Sequence, residues 1–90
     1  MDVALRLKIT GMVHGVAFRA TMAELAKSEN VVGWVRNDID GSVEAFLEGD
    51  EESVRRIVEW ARGGPPRARV DSIDVRVVPR RNLKGFRIMG

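Results

Sequence analysis

Hydrophobic and polar residues alternate along "VALRLKIT", with Val3, Leu5, Leu7 and Ile9 on one side and Arg6, Lys8 and Thr10 on the other. This two-residue period belongs to a half-buried β-strand. Further on the period lengthens. Phe18, Met22, Leu25 and Ala26 recur at helical spacing in a stretch rich in Ala, Glu, Lys and Met, so a helix is expected there. "VVGWVRN" reads as a second strand. "DIDGSVEAFLEG" turns on Asp40-Gly41 and re-enters alternation through Val43, Ala45 and Leu47. Asp50 is placed to cap a second helix. Glu51 and Glu52 fall in its first turn, Val54, Ile57, Val58 and Ala61 form its apolar stripe, Arg62 lies near its end, and "GGPP" stops it. "VDSIDVRVV" gives a fourth strand through Ile73, Val75 and Val77. Pro79 to Gly85 reads as a turn, and "FRIM" as a short edge strand.

The order strand, helix, strand, strand, helix, strand, joined by right-handed crossovers, places both helices on one face of a single antiparallel sheet. This is an α+β arrangement, the ferredoxin-like α/β sandwich (βαββαβ). Its second sheet face is left to polar strand residues such as Arg6 and Lys8. Ninety residues with no linker-like stretch imply one domain over residues 1–90, and 44% hydrophobic residues are enough for a core. Absence of cysteine excludes disulfides and thiolate chemistry. "MDVALRLKIT" lacks the pattern of a signal peptide, and no apolar run is long enough for a bilayer. A cytoplasmic protein with no membrane partner is therefore expected, monomeric by default at this size.

The net charge of +2 conceals an asymmetry. Residues 1–61 carry seven basic and eleven acidic side chains, whereas residues 62–90 carry eight and two. Two readings stand: solvated arginines along a strand edge, or a face that attracts anions. Nucleic acid is not expected as a partner, because a single-strand binder interleaves aromatic platforms with its basic groups. This chain has three Phe, two Trp and no Tyr.

Between the first strand and the first helix lies "GMVHGVAFR", Gly11 to Arg19. Its glycines permit positive φ, which turns successive N–H groups inward into an anion-binding nest, and the helix start adds free N–H groups of its own. Arg19 offers a planar, permanently charged fork suited to phosphoryl oxygens. No Gly-Lys-Ser/Thr follows, so this is not the nucleotide P-loop, and the dinucleotide fingerprint is missing too. On the residues alone, a structural turn and a solvated Arg19 remain alternatives. Asn37 likewise reads as a strand-end residue, Trp34 and Trp60 as packing, and His14 as a solvated loop histidine. One histidine and no cysteine leave the usual transition-metal ligands missing, so neither metal nor cofactor is expected.

Two segments carry a more specific likeness. "GMVHGVAFR" resembles the first signature of the acylphosphatase family, and "GWVRNDIDGSVEAFLEG" resembles the second, with spacing preserved. "EGDEE", "GPPRARV" and "GFRIMG" extend the resemblance over nearly the whole chain. It implies a ferredoxin-like fold and metal-independent hydrolysis of the mixed anhydride of a carboxylate and a phosphate. It also implies a small acyl phosphate as substrate, with inorganic phosphate as product and inhibitor. By the same resemblance Arg19 stands at the phosphate-binding arginine, and the backbone N–H groups of His14, Gly15, Val16, Ala17 and Phe18 form the phosphate cradle. Asn37 stands at the water-orienting asparagine. His14 replaces the usual glutamine, and Asp38 stands where a neutral residue or threonine is common. The rival reading is a non-catalytic ferredoxin-like module that binds RNA or a small anionic ligand. An RNA-binding face would need aromatics on the two central strands, where the first offers none and the third only Phe46.

Overall fold

A computed structural model describes residues 1–90. The alternating N-terminal run forms β1 (Asp2–Met12), followed by α1 (Phe18–Ser28), β2 (Val32–Asn37), β3 (Val43–Asp50), α2 (Glu51–Gly63), β4 (Arg69–Val77) and β5 (Phe86–Met89). The five strands make one sheet in the order β4-β1-β3-β2-β5. The pairs β1–β3, β1–β4 and β2–β3 are antiparallel, as the ferredoxin-like reading requires. The fifth strand pairs parallel to β2, so the sheet is mixed rather than wholly antiparallel. Chain direction explains it. Residues 78–85 leave β4 and enter β5 at the same end of the sheet, so β5 runs opposite to β4 and therefore along β2.

Both helices lie on one face, and the expected stripes meet there. Leu7 and Ile9 of β1, Val35 of β2 and Val43, Ala45 and Leu47 of β3 pack with Met22 and Ala26 of α1 and Val54, Ile57 and Ala61 of α2. Each Leu, Ile or Val so buried contributes about 1.5–3 kcal/mol against conformational entropy. Leu25 is only partly buried, and Ala23 is buried beside Met22 instead. The Asp50 carboxylate accepts the Glu52 N–H at 3.2 Å, so α2 has its N-cap where the acidic cluster predicts it. No helix is long and apolar enough to cross a membrane.

The helix-free face differs from a plain polar surface. Trp34 and Phe46 stack there with ring centroids 6.4 Å apart. Arginines cover them: Arg6 and Arg36 each lie 5.1 Å from the Trp34 ring centre, and Arg81 lies 5.9 Å from that of Phe46. Phe46 is consequently only 2% exposed on a face with no helix to cover it.

Candidate active site

The cleft begins with backbone geometry. β1 continues past a bulge at Thr10/Gly11 to Met12, and the chain then crosses to α1 through residues 13–17. Gly15 (φ +71°) and Ala17 (φ +63°) both adopt the left-handed conformation, and Ala17 is also the N-cap of α1. For alanine this conformation costs about 1–2 kcal/mol, a strain that the surrounding fold must hold. The N–H groups of His14, Gly15, Val16 and Ala17 find no acceptor within the protein. Free N–H groups beside an open helix start make a cradle of the kind that can accept an oxyanion.

Phe18 anchors the start of α1 and so aims the next side chain. Its ring is 2% exposed and packs against Trp60 of α2 at 5.1 Å between centroids. With Phe18 driven into the core, its neighbour Arg19 is presented to the cleft. Arg19 has no carboxylate partner; its Nη1 donates only to the Met89 carbonyl, at 3.4 Å. Its positive charge is thus held by the tail of β5 without being neutralised.

Asn37 arrives from the end of β2, where it pairs with Val43 across the hairpin. Its side-chain amide makes no hydrogen bond to the protein. Arg19 and Asn37, 18 positions apart in sequence, line one cleft of about 170 Å³ together with Gly15, Ala17, Phe18 and Ile88. His14 and Val16 do not line it with their side chains. Val16 packs partly against the core, and the His14 imidazole donates from Nε2 to the Ser42 carbonyl at 2.8 Å. That carbonyl also accepts the Asp38 N–H at 2.8 Å, so His14 ties the cradle to the hairpin that carries Asn37. Neither His14–Ser42 nor the part played by Ile88 and Met89 is visible in the local sequence. Met89 lies 70 residues from Arg19, and only sheet pairing brings them together.

Asp38, adjacent to Asn37, is turned into an ionic network on the helix-free face. Arg36 Nε donates to its Oδ1 at 3.1 Å, and Ser42 Oγ donates to its Oδ2 at 3.4 Å. Arg36 Nη2 also reaches Glu44 at 3.1 Å, and Arg6 Nη2 reaches the same carboxylate at 3.0 Å. A hydrogen bond from Asp38, followed by those from Arg36 and Arg6, holds Glu44 down to about 2. The Glu44 carboxylate in turn raises Asp38 above its ordinary value. Asp40 is lowered by two hydrogen bonds from Ser42 and by Lys8, whose Nζ lies 2.9 Å away. These acids are bound to their own partners, and Arg19 remains the uncompensated cation of the cleft.

Known proteins resemble the chain along nearly its whole length. The family model described as Acylphosphatase matches residues 5–88. The chain is 46% identical over 84 residues to an acylphosphatase of Thermococcus kodakarensis, covering 93% of this chain and 92% of the relative. It is 54% identical over 71 residues to one from Pyrobaculum arsenaticum, covering 78% and 75%. The crystal structure of acylphosphatase from Bacillus subtilis superposes with a TM-score of 0.94 at 32% identity, over 100% of both chains. From the left-handed cradle, the free arginine beside it and these likenesses along nearly all of its length, the chain belongs to the acylphosphatase family, enzymes that hydrolyse acyl phosphates.

Proposed function

We propose that hydrolysis proceeds in the cleft between the 14–18 loop, Arg19 and Asn37, without a metal ion. The loop N–H groups and the Arg19 fork take the phosphoryl oxygens, and the side-chain amide of Asn37 holds a water in line with the carboxyl–phosphate bond. Attack of that water on phosphorus breaks the bond to the acyl oxygen. The carboxylate departs with the bonding electrons, and the proton of the attacking water passes to a phosphoryl oxygen. The leaving group's conjugate acid has a pKa of about 4, so it needs no general acid. Catalysis then rests on positioning and on preorganised charge.

The observation that carries this reading is the convergence of an unpaired Arg19 with the free amide of Asn37 in one cleft bounded by the strained loop. The substrate on this reading is a small acyl phosphate gripped by its phosphate, and inorganic phosphate is a competitive inhibitor. The chain acts as one acylphosphatase-like domain over residues 1–90, a cytoplasmic monomer with no nucleic-acid partner. Assay of acetyl or benzoyl phosphate hydrolysis in excess chelator tests the mechanism: activity is expected to persist. Loss of activity restored by a divalent ion would refute it.

A further inference from the structure

The basic C-terminal third contains a second group of cations that the active site does not use. Of its eight basic residues, Arg62, Arg69, Arg76 and Arg80 are paired with Glu59, Asp71, Asp74 and Asp2. Arg67, Arg81, Lys84 and Arg87 have no acidic partner. Three of these four meet in one groove of about 480 Å³ on the helix-free face, lined also by Trp34, Leu83 and Met89 and by no acid. Pairing of β5 with β2 sets Arg87 beside Trp34, while Arg81 and Lys84 come from the 79–85 segment.

That segment has no regular structure, yet it is fixed. Glu48, 5% exposed, points its carboxylate at the loop backbone and accepts the Arg81 N–H at 3.0 Å and the Asn82 N–H at 3.0 and 3.1 Å. The Gly85 carbonyl accepts the Gly33 N–H at 3.0 Å, which closes the loop onto β2. A buried carboxylate is costly unless fully hydrogen-bonded, and here its bonds order a loop whose exposed products are cations. The Arg81 guanidinium is held in addition over the Phe46 ring. Like charges gathered in one groove repel one another, and a bound anion relieves that repulsion.

We propose that this groove is a second oxyanion site, separate from the cradle, which takes a small polyanion bearing phosphate or carboxylate groups. Charge, not stacking, selects the ligand, because the Trp34 ring is already occupied by Arg6 and Arg36. β5 links the two sites. Arg87 and Met89 line the groove, Ile88 lines the catalytic cleft, and the Met89 carbonyl touches Arg19.

Tripolyphosphate is a suitable probe, followed at low ionic strength through Trp34 fluorescence in a Trp60→Phe background. With Arg19→Ala included to disable the cradle, saturable binding is expected to remain. Adding Lys84→Ala and Arg87→Ala is expected to weaken it at least tenfold, while Lys27→Ala with Arg67→Ala, the same charge change elsewhere, leaves it within twofold. Circular dichroism verifies that each variant is folded. Abolition of binding by Arg19→Ala alone, or equal weakening by both double variants, would overturn the assignment, as would tighter binding of an octathymidylate than of tripolyphosphate. Steady-state kinetics then identify the source of the anion. A KM increase in Lys84→Ala/Arg87→Ala confined to succinyl phosphate, with acetyl phosphate unaffected, means that the groove reads a second charge on the substrate. Weakened tripolyphosphate binding with both KM values unchanged means that it takes a free anion.

Discussion

Arg19 lines the cleft and Arg36 precedes Asn37 at its edge, yet the two are treated in opposite ways. Arg36 is saturated by Asp38 and Glu44, which it meets at 3.1 Å each, and its guanidinium covers Trp34. Arg19 meets no acid and has a single long contact to a backbone carbonyl. The first arrangement builds a surface: paired charges lose little by being fixed and contribute modestly to stability. The second leaves a hydrated charge without a counter-ion, free to pair when an anion arrives, which is the arrangement that binding and catalysis require. The carboxylates nearest the cleft are sequestered by Arg36, Arg6, Lys8 and Ser42, so they do not quench Arg19.

Replacing the unpaired arginine breaks this contrast most severely. Arg19→Ala is expected to raise KM and lower kcat together, with kcat/KM falling about 10³-fold or more and phosphate becoming a poor inhibitor. Steady-state kinetics with phosphate inhibition read this directly, and near-parental phosphate inhibition would contradict the assigned role. Its effect on the melting temperature is expected to be small, since no ion pair is lost.

Asn37→Ala separates water positioning from phosphate binding. The expected loss is about 10²- to 10³-fold in kcat, with phosphate inhibition nearly unchanged. Thermal melts accompany these measurements because Asn37 also ends β2. A folded variant with near-parental turnover, or one that loses phosphate binding as Arg19→Ala does, would remove Asn37 from the mechanism.

Glu44→Gln probes the saturated side. Because Glu44 is held near 2 in the folded protein, against an ordinary value of 4.5, its contribution is fully present above about pH 4.5 and is lost as pH falls toward 2. Asp38, raised in the fold, works in the opposite direction and partly offsets this loss. The variant is therefore expected to melt lower at pH 7, by roughly 4–8 °C per kcal/mol lost, and to show a flatter fall in melting temperature between pH 4.5 and 2. An acid limb as steep as the parent's would show that Glu44 does not carry the linkage.

The smallest effect is expected at His14. Its side chain flanks the loop and donates to the Ser42 carbonyl, which ties the loop to the hairpin carrying Asn37. His14→Ala removes this tie and is expected to weaken phosphate inhibition by about fivefold, the ~1 kcal/mol of one hydrogen bond. His14→Gln keeps a donor for Ser42 and is expected to stay closer to the parent. Equal inhibition constants in the parent and His14→Ala would show that the tie does not position the loop.

Much of the molecule is written locally. The two-residue period of β1, the helical stripes, the Asp50 cap and the Asp40-Gly41 turn each depend on interactions within a few residues, so residue type and spacing suffice to read them. The loop "GMVHGVAFR" is legible in part for the same reason, since positive φ at Gly15 and an adjoining helix start are local properties, whereas the left-handed Ala17 is held by the surrounding fold. Tertiary structure decided the rest. It placed Asn37 beside Arg19, turned β5 parallel to β2, directed His14 to Ser42, and fixed the 79–85 loop on Glu48. It also divided the basic C-terminal third into paired arginines and a groove of free cations, two readings that composition alone leaves open. All of these depend on strand order and register, which bring together residues far apart in the chain, and no short-range period encodes the partner of an edge strand.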